Sequence, residues 1–241
     1  MVDTPDPLKA IRRFYEGVSV GCREGAFEVR LDGRVPRSPG GRPLALPTRA
    51  LADLIAGEWE AQGESIAYGA MPATRLAHTA LDVVPKARAA TIEGVVRYAS
   101  ADLLCYFADH PASLIHRQEH SWGPLLAWAD RDWGLRFTRA VGIVHRPQPP
   151  ETLARLGVRL DSLDDHALSG VAFASALFGS AILALALRAG RINADQAMAA
   201  ARLDELFQED RWGVDAEAEA KADAMAVDAV MVERWFGALA G

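Results

Sequence analysis

The sequence predicts an α+β protein in which a small β-rich amino-terminal domain is followed by a larger all-α domain packed around a central apolar helix. Three observations predict it. Residues 11–47 carry short, near-alternating runs broken by turn dipeptides, strand signals vanish from Ala73 onward, and Ala167 to Leu187 runs for twenty-one residues without a charged side chain. The expected boundary lies between residues 70 and 71, dividing the chain into 1–70 and 71–241.

In the first part, Phe14–Val20 and Ala26–Leu31 alternate apolar and polar positions and are interrupted by Gly21, Gly25 and Asp32-Gly33. An Asp-Gly pair between two such runs is a strong hairpin turn signal. A second turn is expected at Ser38-Pro39-Gly40-Gly41, followed by an extended edge segment over Arg42–Pro47. Thr48 then caps a helix reaching Gln62, because Leu51, Leu54, Ile55 and Trp59 recur on one face. Ser65–Pro72 reads as a linker.

Beyond it, Lys86–Phe107 and Leu114–Trp133 have helical spacing, and Arg146-Pro147-Gln148-Pro149-Pro150 is a breaker before a short helix near Glu151–Leu156. The run Ala167–Leu187 is long enough to cross a bilayer, for which roughly 20 residues suffice. Its many Ala, Ser and Gly residues and the absence of an aromatic belt argue instead for the centre of a globular domain, where small residues let neighbours approach on several faces. Asp164 or Asp165 can cap its start and Gly190 its end. Asn193 with Gln196 forms a capping-box pattern at the next helix, and the last begins near Asp215.

With 241 residues the chain can bury a large core without staples. Its two cysteines, Cys22 and Cys105, lie far apart and outside any Cys/His cluster, which excludes a disulfide framework and a structural zinc site. The start, MVDTPDPLKA, has neither a secretion signal nor the Arg-rich character of a transit peptide, so a bacterial cytoplasmic protein is expected. The net charge of −6 is uneven: 11 acids and 4 bases follow from Asn193 onward. Such a surface does not fit nucleic acid, whose phosphates require a basic patch.

Catalytic patterns are sparse. Nucleophile-elbow, dinucleotide and Walker motifs are missing, and Cys105 sits in an apolar setting where a thiol is inert packing. His116-Arg117-Gln118-Glu119-His120 matches H-x-x-E-H, in which two histidines one turn apart hold zinc and the Glu acts as general base. A zinc-dependent hydrolase centred on His116, Glu119 and His120 is therefore the alternative reading, though it needs a third ligand that no motif supplies. A different cluster, Leu203–Gly213, offers an acidic helix beside a tryptophan. Leu203, Leu206 and Phe207 can dock inward while Asp204, Glu205, Gln208 and Glu209 stand outward, and Gly213 after Trp212 can take a left-handed cap. Tryptophan anchors are enriched at protein interfaces, so Asp204, Glu205, Gln208, Glu209 and Trp212 are the candidate partner-binding residues.

Several strings extend this reading. Leu31-Asp32-Gly33-Arg34 with Ser38-Pro39, Leu46-Pro47-Thr48, Glu58-Trp59 with Gln62, Met71–Ala77 with Thr79-Ala80 and Asp82, Asp102–Tyr106, Gln118 with Trp122 and Pro124-Leu125, and Asp204-Glu205 with Gln208 and Trp212-Gly213 follow one another through nearly the whole chain. In that order and spacing the chain resembles the assembly chaperones of the F-type ATP synthase catalytic sector that bind its alpha subunit. The resemblance implies a two-domain holdase without enzymatic activity or cofactor, monomeric when free and not inserted in a membrane. It would shield the alpha-subunit surface destined for the beta subunit. It also implies that an acidic residue at Asp204 or Glu205 matters for function, and that Trp59 matters for folding or for the partner. His78 stands where the family has Asn, and Gly69 where it has Pro.

Overall fold

The computed structural model describes residues 11–142, 146–213 and 216–240. Strand β2 (Val18–Arg23) pairs antiparallel with β3 (Ala26–Leu31), from Val18 opposite Leu31 to Arg23 opposite Ala26. A two-residue loop closes this hairpin, with Glu24 at φ 53° and Gly25 at φ 82°, the double positive φ that suits strand twist. Asp32 (φ 47°) and Gly33 (φ 77°) repeat the device one strand later, bridging Leu31 to Arg34. β2 thus lies later than the Phe14–Val20 alternation suggests. It runs through Gly21, where a side chain would collide with the guanidinium of Arg30. β4 (Ala45–Leu46) completes the sheet against β3.

Helix α1 (Arg49–Glu60) starts as expected at Thr48, whose hydroxyl accepts from Leu51 N at 3.1 Å. The same hydroxyl donates to Ala238 O at 2.6 Å and ties this end to the carboxyl-terminal helix. The Ser65–Pro72 stretch, expected as a linker, is built into the fold. Ser65–Ile66 forms β5 and pairs with Ile11–Arg12, β1, while Tyr68–Ala70 makes one 3-10 turn. α2 (Pro72–Asp82) follows, with Pro at its first turn and the Glu58 carboxylate accepting from Ala73 N and Thr74 N, both at 2.7 Å.

The helical part continues with α3 (Val84–Ser100), α4 (Ala112–Trp133), α5 (Pro150–Asp161), α6 (Asp165–Phe178), α7 (Ala181–Arg188), α8 (Ala194–Ala201), α9 (Leu203–Trp212) and α10 (Ala216–Ala240). Asp215 itself lies outside the described residues. A two-residue parallel ladder, β6 (Tyr106–Phe107) with β7 (Ala140–Val141), is inserted among these helices.

The apolar run at the centre is two helices, which corrects the single helix expected over Ala167–Leu187. α6 ends at Gly179, which takes the left-handed conformation at φ 65°. Ser180 then caps α7, accepting from Leu183 N at 3.0 Å and donating to Asp102 Oδ1 at 2.7 Å. A serine able to cap and a glycine free to reverse φ outweigh the continuity of the apolar pattern. Consequently no helix among the described residues is long and apolar enough to cross a membrane.

Of the two caps expected, Asp164 or Asp165, it is Asp164 that caps α6, accepting from His166 N and Ala167 N at 2.9 Å. At the far end of α7, Gly190 N bonds Leu187 O and Arg191 N bonds Ala186 O, the paired closure of a Schellman motif. α6 lies among α2, α3, α7 and α10. Gly170 is what lets α10 cross it closely, since a Cβ there would lie 2.7 Å from Phe236 and 2.9 Å from Trp235. One connected cluster of buried side chains runs from Tyr15 through the sheet and α1 to Phe236.

Candidate functional site

α9 follows α8 after a single residue, Arg202, and meets α4 and α8. Leu203 and Phe207, one turn apart, are buried and fasten it, and the guanidiniums of Arg117 and Arg211 lie 5.2 and 4.2 Å from the Phe207 ring. The acids that follow have different surroundings. Asp204 points toward α4, where Gln118 Nε2 donates to its Oδ1 at 2.7 Å. Its half-burial raises the carboxyl above the usual range, and the Gln118 bond opposes that rise. Glu209 is also drawn in, 2.7 Å from the largely buried guanidinium of Arg202. Asp210 pairs with Arg117 at 2.8 Å on the exposed rim.

Glu205, Gln208 and Trp212 are exposed, and their i, i+3, i+7 spacing places them along one stripe with Glu209 beside it. Glu205 touches Arg202 at 2.9 Å yet keeps 66% of its side chain exposed. Trp212 is 78% exposed, the most exposed large apolar side chain described. The fold therefore brings Glu205, Gln208 and Trp212 onto one exposed stripe, sets Glu209 at its edge with most of its side chain buried against Arg202, and turns Asp204 away toward α4. This corrects the uniformly outward acidic face expected from the sequence. Gly213, at φ 88° and ψ 167°, uses glycine's freedom without adopting the left-handed helical cap.

Trp59 belongs elsewhere. It is 2% exposed on the inner face of α1, edge-on to Tyr15 at 5.8 Å and to Tyr68 at 6.1 Å. The Tyr15 hydroxyl donates to Trp59 O at 2.6 Å, while Trp59 Nε1 is buried with no hydrogen-bond partner among the described residues.

The other recurrent residues are joints of the scaffold. Asp82 accepts from Ser38 Oγ and Gly40 N at 2.7 Å, seating the Ser38–Gly41 turn on α2. Gln62 Oε1 accepts from Ala67 N at 2.7 Å. Fully buried Asp102 accepts from Leu104 N, Ser180 Oγ and Ile182 N, holding the α6–α7 break; burial pushes its carboxyl up to about 6 against these bonds. Trp122 Nε1 donates to Ala200 O at 3.0 Å.

His116 and His120 do share a face of α4, with ring centroids 4.0 Å apart, but Glu119 is paired to Arg139 at 2.9 Å. No group of three His, Cys, Asp or Glu side chains suited to a metal occurs among the described residues. Cys22 is exposed and Cys105 buried, and both are free thiols.

Sequence reasoning missed a trough between α1 and α10, two helices separated by most of the chain. The available signal was Val227 with Val230, two apolar residues one turn apart on a helix whose first turns are largely Ala and acid.

Comparison with known proteins places these features in a lineage. A family model described as ATP12 chaperone protein matches residues 12–130. The crystal structure of Atp12 from Paracoccus denitrificans is 40% identical, covering 94% of this chain and 97% of that one, with a TM-score of 0.88. An Asp-to-Lys mutant of the Paracoccus protein superposes equally well. An Agrobacterium tumefaciens protein proposed to be a chaperone is 38% identical over 98% of this chain and 92% of that one, with a TM-score of 0.90. The mitochondrial atp12 protein of Schizosaccharomyces pombe is 25% identical over 222 residues, or 87% of this chain and 76% of that protein. With the α+β order, the scaffold joints and the acidic α9 all in place, the chain belongs to the ATP12 chaperone family, the ATP synthase assembly chaperones that its sequence resembles.

Proposed function

We propose that the protein captures the unassembled alpha subunit of the F-type ATP synthase and shields the surface that later meets the beta subunit, so promoting assembly of the catalytic sector. It acts by binding, without catalysis or cofactor. A holdase lowers the free concentration of an aggregation-prone subunit by mass action. Family membership supports the reading, and one observation carries it: Trp212 stands 78% exposed at the end of an acidic helix that the fold otherwise anchors firmly. A large aromatic ring left in water beside Glu205 and Gln208 suits a surface whose apolar part supplies affinity and whose charges select orientation. Asp204 serves this site from behind, holding α9 to Gln118.

The same proposal divides the chain into a β-rich unit, residues 1–70, and a helical unit, residues 71–241, with α9 in the second. It takes the protein to be monomeric when free and to work in a bacterial cytoplasm. Co-purification of the tagged protein from its own extract tests the reading. The alpha subunit is expected with the wild-type protein and is reduced with Glu205→Lys and with Trp212→Ala. Unchanged recovery with both variants would remove α9 from the proposal, and absence of the alpha subunit from the wild-type eluate would remove the proposed client.

A further inference from the structure

α1 and α10 enclose an open trough of about 840 Å³. α1 supplies Leu54, Gly57 and Ala61, at i, i+3 and i+7, and α10 supplies Val227, Val230 and Met231. Val227 is 65% exposed and Val230 46%, although each lines this concave apolar surface. A Cβ added at Gly57 meets nothing within 4 Å, so the space is open down to the backbone of α1. Asp228 stands on the α10 wall, half-buried and with no hydrogen bond or ion pair among the described residues. Burial raises its carboxyl above the ordinary range, only partly opposed by the charge of Arg75. The other two acids of the trough are engaged, Asp53 with Arg49 at 3.3 Å and Glu58 as the cap of α2.

The geometry points to a docking site for an amphipathic helix of a partner protein, carrying an apolar stripe with a Lys or Arg placed to meet Asp228. A helix is the occupant these walls favour, because both are helices whose backbone groups are already bonded internally. An extended segment would find no ladder to join, whereas a helix satisfies its own backbone and buries one stripe. Three acids, Asp53, Glu58 and Asp228, line the trough against one base, Arg234, whose charge acts on Glu58. A cation is favoured because Asp228 is the acid without a hydrogen bond or ion pair among the described residues, and a half-buried carboxylate gains most from a counter-ion that arrives with the ligand. The trough uses elements other than α9 and is independent of the alpha-subunit reading.

The test uses a fluorescein-labelled Leu/Lys peptide patterned as an amphipathic helix, followed by fluorescence anisotropy against the full chain. A Leu/Lys peptide of scrambled pattern and a patterned Leu/Glu peptide are the controls. Saturable binding of the patterned Leu/Lys peptide alone is expected. Gly57→Trp, which fills the trough at a helical position, and Asp228→Lys should each raise Kd by about tenfold or more. Glu205→Lys should leave Kd unchanged, and its effect on alpha-subunit capture separates the two surfaces. Equal binding of the scrambled peptide, or a Kd within about twofold of wild type in both variants, overturns the proposal. So does a concentration-dependent dimer abolished by Gly57→Trp, which assigns the trough to a second copy of this chain.

Discussion

Gln118 on α4 and Asp204 on α9, 86 residues apart, are joined Nε2 to Oδ1 at 2.7 Å, while Gln118 Oε1 accepts from Ala108 N at 2.8 Å. One amide thus holds α9 and the segment leaving β6 in a fixed relation. Gln118 is 1% exposed, so removing its acceptor strands a buried donor, at a cost of about 1–3 kcal/mol. Asp204→Ala is expected to lower the urea midpoint by a matching amount. The double variant with Gln118→Ala should lose less than the sum of the singles. Strict additivity would show that the bond contributes nothing.

Glu205, the next residue, should behave oppositely. Its own carboxylate is solvent-exposed, and Arg202, the largely buried partner, keeps Glu209. Stability of Glu205→Lys is expected within about 0.5 kcal/mol of wild type by urea unfolding, while alpha-subunit capture falls. A large stability loss would make Glu205 a structural residue like its neighbour.

Asp102 provides a pH test. Its folded carboxyl lies near 6 against an ordinary 3.8, so the folded state binds the proton more tightly than the unfolded chain. The contribution is therefore favourable below the ordinary value and is lost as pH rises through about 6. Asp102→Asn removes this titration and leaves an amide donor facing backbone donors at the α6–α7 break. The variant should be less stable throughout, with the gap to wild type narrowing by roughly 1 kcal/mol between pH 5 and 7.5. A gap that stays constant would mean the carboxyl is not perturbed.

His166 acts in the other direction. Burial holds its imidazole below the ordinary 6.5, against the attraction of Asp164 and Asp165, and the ring stacks on Trp235 at 6.2 Å. A base kept neutral by the fold contributes stability above its ordinary pKa, and this is lost progressively as pH falls below 6.5 through the depressed folded value. His166→Phe preserves the stacking and removes the proton site. Its melting temperature should decline less than that of wild type between pH 6.5 and 5. Identical acid limbs would count against a buried neutral His166.

Thiol chemistry checks the core directly. Cys22 is exposed, whereas Cys105 is fully buried and its thiol is pushed far up by burial and by Asp102. A disulfide-exchange reagent should modify one thiol per native chain and two in denaturant. Rapid modification of both in buffer would contradict the packing around the 3-10 turn at Leu103–Cys105.

By itself the sequence determined whatever depends on residues within about one turn of each other. Thr48, Asp164 and the Asn193–Gln196 box start their helices as written, because a cap needs only its own side chain and the next three amides. Asp32-Gly33 turns as its φ preferences demand. The family resemblance was legible because it rests on short strings and their order along the chain, and the comparisons match it. Tertiary structure decided the rest. Ser65–Ile66 is a strand only because Ile11–Arg12 lies beside it. The long apolar run breaks at Gly179–Ser180 where buried Asp102 waits to bond the new helix start, a partner 78 residues away. Trp59 went inside and Trp212 outside although each sits near acids on a helix, and Asp204 and Glu205 parted roles because one points at Gln118 and the other at water. Local preference is additive along the chain, but burial and the pairing of distant polar groups depend on which surfaces the fold brings together, and no window of sequence contains that.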